Sequence, residues 1–197
     1  MKKPLILIIL FTISFSMFCQ NTSIEKYDFD ETKYKYETPD QLATTFLKSL
    51  DNFKESEFLE LCVSKEAMLY MIGQISMMRQ DAQNIDEVVE ATEEKFDESI
   101  KQYTARAQMI ITKIKKQKVK ISECIINNIN YEVKDLYGLK PNIMFTNLTM
   151  YLNYNGEQFQ LQLPQLVRIK GKWFIIAPSI YWRDNEEIKW LEKHLGE

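Results

Sequence analysis

Three cysteines, one histidine and a run of lysines are the residues of this 197-residue chain whose types bear most directly on chemistry. A centre built on imidazole needs its histidine beside a nucleophile or a second metal ligand. The sole histidine, His194, has neither close in sequence and reads as a solvated residue of a closing helix. Cys62 and Cys124 allow two arrangements, a disulfide in an oxidising compartment or two separate buried thiols. Neither they nor the carboxylates show ligand spacing, so no metal ligand is assigned. Five scattered glycines form no phosphate loop, and there is no GxSxG elbow. No catalytic or cofactor-binding residue is assigned, and no cofactor is expected. In KIKKQKVK, Lys113, Lys115, Lys116, Lys118 and Lys120 can touch anionic headgroups, but they read first as helix-end and solvent-facing strand charges. Met68, Met71, Met77 and Met78 can line an adaptable groove, and read first as core filling.

Cys19 has a different chemistry. Residues 1–19 carry Lys2 and Lys3, an apolar run from Leu5 to Phe18 and then Cys19, the layout of a bacterial export signal. Cleavage between Cys19 and Gln20 puts a small residue at −1, although Met17 is oversized at −3. Lipidation of Cys19 would place Phe18 where a small residue is usual. An uncleaved anchor would fall short of the roughly 20 residues that span a bilayer. The expected order is simple cleavage, then lipidation, then retention. The product is thus exported, periplasmic or secreted, or lipid-anchored in the envelope if Cys19 is acylated. Removal of 1–19 takes two of 25 basic residues and leaves all 28 acidic ones, so the mature chain is acidic and lacks the positive field of a nucleic-acid binder.

The elements that position these residues follow from periodicity. Residues 20–37 have no regular period and read as a flexible leader, with Tyr27, Phe29, Tyr34 and Tyr36 free to lie along the surface of a single domain at 38–197. Thr38, Pro39 and Gln41 open a helix with a stripe of Leu42, Ala43, Phe46, Leu47 and Leu50. Ser56 is expected to cap a short second helix and Ser64 a third. Asn84 to Lys116 predicts one long helix, acidic at its start and basic at its end. From Lys118 the period changes to 2. Strands are expected through Val119, Ile121 and Glu123 into Ile126, and again near Asn130 to Leu136. Asn155-Gly156 predicts a two-residue hairpin between Ile143–Tyr154 and Glu157–Lys170. Pro164 should mark an edge or bulge. A turn at Lys170-Gly171-Lys172 leads to a strand at Trp173–Ala177, and Asp184 with Glu187 caps a last short helix presenting Ile188, Leu191 and Leu195. The class is therefore α+β: N-terminal helices, one of them long, on a curved antiparallel sheet of about four strands, with a short C-terminal helix.

The TPDQLATTFLKSLDNFKESEFLELC segment, the helical middle and the late strand-turn-strand ending in RIKGKWFIIAPS resemble secreted members of the nuclear transport factor 2-like, or cystatin-like, superfamily, over roughly residues 38–182. That resemblance implies a bent sheet around a helix, a conical pocket and frequent dimerisation through the sheet. It also implies a carboxylate base with hydrogen-bond donors if the pocket is catalytic; Glu123 and Asp135, with Tyr103, Tyr151 or Tyr154, are the candidates, though each reads first as a strand or core residue. Tyr181 and Trp182 either rim the pocket mouth or cap the sheet. The expected function is a noncatalytic exported binding or interaction domain of the envelope, its partner an unidentified small molecule or envelope protein. The alternatives are a small pocket enzyme of isomerase or dehydratase type and a homodimeric assembly factor.

Overall fold

Thr38 begins the first α-helix of the described residues. Its hydroxyl accepts from Gln41 N at 3.3 Å, the Gln41 side chain accepts from Glu37 N at 3.1 Å, and Pro39 follows the cap. Helix α1 (Pro39–Ser49) thus starts with its orphan donors partly met, and buries Leu42, Ala43, Phe46 and Leu47. The computed structural model describes residues 30–78, 85–139, 141–176 and 179–195. The expected export segment at 1–19 with Cys19, and Gln20, Tyr27, Phe29, Asn84 and Ala177, lie outside them, as do the side chains of Met77 and Met78.

Helix α2 (Glu55–Leu59) is capped from Lys54, not Ser56, with no side-chain cap bond; Glu55 and Glu57 instead place negative charge at the positive end of the dipole. Ser64 does cap α3 (Lys65–Met78), its Oγ accepting from Ala67 N at 3.2 Å. Helix α4 (Ile85–Lys116) is the long helix the charge gradient predicts. It ends in a Schellman motif: Lys118 takes a φ of 56°, its N–H reaches Lys115 O at 3.1 Å, and Val119 N–H reaches Ile114 O at 3.2 Å.

That motif corrects the expected strand through Val119, Ile121 and Glu123. The segment is a helix cap followed by a single 3₁₀ turn, Ile121–Glu123, pinned by Asp51 Oδ1, which accepts from Ile121 N at 3.1 Å. Val119 and Ile121 are buried because they close the apolar end of the helix, not because they alternate. The two strands expected beyond are one, β1 (Ile125–Lys134), whose register slips between Ile126 and Asn128. The slip shifts the side-chain parity and disguises the continuity.

β1 pairs with β2 (Ile143–Tyr154), β2 with β3 (Glu157–Ile169), and two short strands share the far side of β3: β4 (Lys172–Ile175) against Leu166–Ile169 and β5 (Tyr181–Asp184) against Phe159–Gln162. All these pairings are antiparallel. Both tight turns have two positive φ values, 53° and 86° at Asn155-Gly156, 47° and 87° at Lys170-Gly171, as primed hairpin turns require. Pro164 sits in the β2–β3 slip between Thr146 and Leu148, a bulge in the interior strand and not an edge. It also falls in the gap between β4 and β5, where no ladder donor is needed.

The bulge switches the parity of β3. Phe159, Leu161 and Leu163 before it and Leu166 after it face the larger core, with Leu148, Met150 and Leu152 of β2 and Trp173 and Ile175 of β4. Helix α1 and the C-terminal half of α4, through Tyr103, Ala107, Ile110, Ile111 and Ile114, cover this inner face. Val167, Ile169 and Phe174 point to the outer face, where Ala67, Tyr70 and Met71 of α3 make a second cluster. The long helix therefore lies under the sheet with only its second half. The last helix, α5 (Asn185–Leu195), starts at a reciprocal box: Glu187 N donates to Asp184 Oδ1 at 3.0 Å, and Asp184 N to Glu187 Oε2 at 3.1 Å.

Residues 30–37 are laid against this body. Tyr34 OH donates to Ser64 Oγ at 2.6 Å and its ring meets Phe174 edge-on at 4.8 Å, Tyr36 packs on the main core, and Glu37 pairs with Lys172 at 3.0 Å. Tyr34 and Tyr36 thus do lie along the domain.

Candidate functional site

The inner face of the sheet, where a conical pocket is expected, is filled. Phe46, Phe58, Leu61, Met150 and Leu161 are fully buried there, and Phe58 stacks obliquely on both Phe46 and Phe53. An accessible concavity lies on the outer face at the β5 end. There β2, β3 and β5 present Thr149, Tyr151, Gln160, Gln162, Tyr181 and Arg183, because these alternate with the inward Met150, Leu161 and Trp182. Helix α5 leans over this polar floor with Ile188 and Leu191, each half-buried.

Two adjoining hollows result, sharing Arg183 and Leu191. One of about 460 Å³ is lined by Arg183, Glu186, Glu187, Trp190 and Leu191. The other, of about 120 Å³, reaches beneath the helix between Tyr151, Gln160, Ile188 and Glu192. Arg183 is held at their junction: Nη1 donates to Gln160 Oε1 at 3.1 Å and the guanidinium lies 5.5 Å from the Tyr181 ring centre. Arg106 of α4 approaches the same ring at 5.1 Å. Trp190 is 57% exposed and stacks on His194 at 4.6 Å. A rim of exposed aromatic rings, an apolar helix face and fixed amide and guanidinium donors is the composition of a binding groove. A further hollow of about 570 Å³ lies between the α1–α2 connection and α4, but its carboxylate, Asp51, already holds Ile121 N.

The residues singled out by sequence are not brought together. Glu123 precedes β1 and pairs with Lys120 at 2.8 Å, whereas Asp135 follows β1 and accepts from Leu139 N at 2.9 Å. Tyr103 donates its proton to Ile176 O, and burial, then the nearby Cys62, pushes its pKa up to about 12. Tyr154 packs on the inner core, and Tyr151 alone of the three tyrosines belongs to the groove. Cys62 and Cys124 are both free thiols, the first buried and the second half-buried. Cys62 is buried, which raises its pKa strongly; Cys124 is half-buried and pushed up to about 11, by burial first and then by Asp51 and Glu123. These shifts keep both protonated and poorly nucleophilic.

The lysine run is dispersed: Lys113 donates to Trp182 O at 2.9 Å and pairs with Glu187, Lys118 ends the helix and Lys120 holds Glu123. Met71 is buried and Met68 packs beside it in the outer cluster. Trp182 is inward, while Tyr181 is on the outer face next to Arg183 and lines neither hollow. Among the described residues no group of His, Cys, Asp and Glu could hold a metal ion.

Sequence reading missed Arg183, Arg106 and Trp190. The only trace of them was Trp190 falling off the Ile188–Leu191–Leu195 stripe of α5. No family model, curated protein or solved structure matches the chain.

Proposed function

We propose that the chain is an exported, noncatalytic binding or interaction domain of the bacterial cell envelope, and that its ligand enters the groove between α5 and the outer face of the sheet. The groove carries this reading: it joins exposed Trp190 and Tyr151 to the fixed donors Arg183 and Gln160. The reading of export rests on the order of residues 1–19. Among the described residues no helix is long and apolar enough to cross a membrane. The pocket-enzyme reading lacks a desolvated carboxylate beside a donor, since Glu123 and Asp135 are each held by a structural partner outside the groove.

Trp173 and Trp182 are buried, so Trp190 is the tryptophan positioned to report on the groove. Titrating the small-molecule fraction of a periplasmic extract should quench or shift its emission, and Trp190→Phe should abolish the change. Turnover of a compound by the purified protein would count against a noncatalytic role. For export, the mature chain should begin at Gln20, and Cys19→Ser should leave it in the soluble exported fraction. Release of a membrane-bound protein by that substitution would instead establish lipidation.

A further inference from the structure

Among the described residues the sheet has three strands with a side free of strand neighbours, and two of those sides are closed by other parts of the chain. Along β4, Trp173 N donates to Tyr36 O at 2.8 Å, Ile175 N to Leu61 O at 2.9 Å, and Ile175 O accepts from Val63 N at 2.9 Å. Along β5, helix α4 supplies side chains: Arg106 Nε donates to Ile180 O at 2.8 Å, Lys113 Nζ to Trp182 O at 2.9 Å, and Gln117 Nε2 to Asp184 Oδ2 at 2.8 Å. Among the described residues no other segment closes the outer side of β1; the one local bond is from Ile129 N to the side chain of Asn128, Oδ1 at 2.9 Å, which an incoming strand would replace. Eight of its ten residues are exposed, Ile125 by 65%. An open edge of that length is a template for another strand.

We propose that a second copy of this chain occupies it, β1 against β1, antiparallel about a two-fold axis at Asn130. The strand suits itself in that register. Its charged residues are Glu132 and Lys134; the axis sets Glu132 opposite Asn128 and Lys134 opposite Ile126, so no like charges meet. Ile129 then faces Tyr131 of the other copy twice over, an aromatic against a β-branched side chain. Asn130 meets its own equivalent; its Oδ1 accepts from Asn128 Nδ2 at 2.7 Å, which leaves its NH2 to donate and a second lone pair of Oδ1 to accept. An axis at Glu132 would put two carboxylates face to face. The contact is isologous and consumes both edges, so assembly stops at two. It uses the free edge of β1, one strand away from Thr149 and Tyr151 of the groove floor, which lie across from Asn130 and Asn128, and its argument does not rest on a ligand in that groove.

The test uses the full chain with Cys19 and Cys124 replaced by serine. Sedimentation across micromolar concentrations should show a monomer–dimer equilibrium. Asn130 is exposed on the outer face, so its replacement spares the core. Asn130→Lys alone and Asn130→Asp alone should each weaken association at least tenfold by setting like charges on the axis, and mixing the two should restore the dimer. Mild oxidation should cross-link Asn130→Cys and spare Asn128→Cys. A monomer at every concentration, species larger than a dimer, an Asn130→Lys variant that still associates, or equal cross-linking at 128 and 130 would each overturn the proposal.

Discussion

Tyr103 carries a phenol into the core and gives its single proton to the carbonyl of Ile176. Tyr103→Phe keeps the ring and leaves that carbonyl without its donor, a loss expected to cost about 1–2 kcal/mol in urea unfolding. The same burial makes stability depend on alkaline pH. Tyr103 is raised from 10.0 to about 12 and Cys124 from 9.0 to about 11, so the folded state holds both protons more tightly than the unfolded chain. Their stabilisation is complete below the unfolded values, and is lost as pH rises through the folded ones. Unfolding free energy should therefore fall between about pH 9 and 12, with a shallower fall in Tyr103→Phe. A profile flat across that window in the parent protein would show that neither group is desolvated as described. Arg168 makes the opposite case: its Nε is buried without a partner and Nη1 rests 3.6 Å from Met144 Sδ. A buried donor without an acceptor is a cost, so Arg168→Met should leave the melting temperature unchanged or raised.

At the scale of the element, what could be read in advance was local stereochemistry. Asn155-Gly156 needs two positive φ values whatever surrounds it, and Asp184 with Glu187 exchange bonds within four residues. The segment 118–124 was misread because Lys118, and not glycine, occupies the left-handed position of the cap, so the stop was invisible while Val119 and Ile121 imitated a strand. The bulge in β3 was announced by Pro164, whereas the slip in β1 has no such marker. Two outcomes follow. A Cβ at Gly156 meets nothing within 4 Å, yet its φ of 86° is one that L residues resist. Gly156→Ala should thus cost about 1 kcal/mol through strain alone. Asp184→Ala removes the acceptor for Glu187 N and should cost about 0.5–2 kcal/mol. Because α5 buries no residue, that loss should appear as fraying of the helix, read as a change in Trp190 emission at temperatures where the core signal is intact.

Over the whole molecule, the class was legible because helical and strand periods occupy separate halves of the chain. The groove was not, since it depends on which side of the sheet each layer chooses. Parity changes in β1 and β3 decide which residues face outward, and α5 reaches Tyr151 and Gln160 only after the hairpin has folded back. The same long-range logic governs the seal on β5. Gln117 stands at the C-terminal end of α4, donating to Asp184 Oδ2 and accepting from Trp182 Nε1 at 2.7 Å. It thereby ties the long helix to the strand that carries Arg183 into the groove. Gln117→Ala leaves a buried indole N–H unpaired and frees Asp184, which should destabilise the domain by about 1–3 kcal/mol. The diagnostic readout is amide exchange: faster at 181–184 and in the first turn of α5, and unchanged in the β2–β3 hairpin, whose hydrogen bonds do not pass through Gln117. Uniform acceleration would mean that β5 opens only with the whole domain. Local acceleration would make the α4 contact the element that sets the shape of the groove.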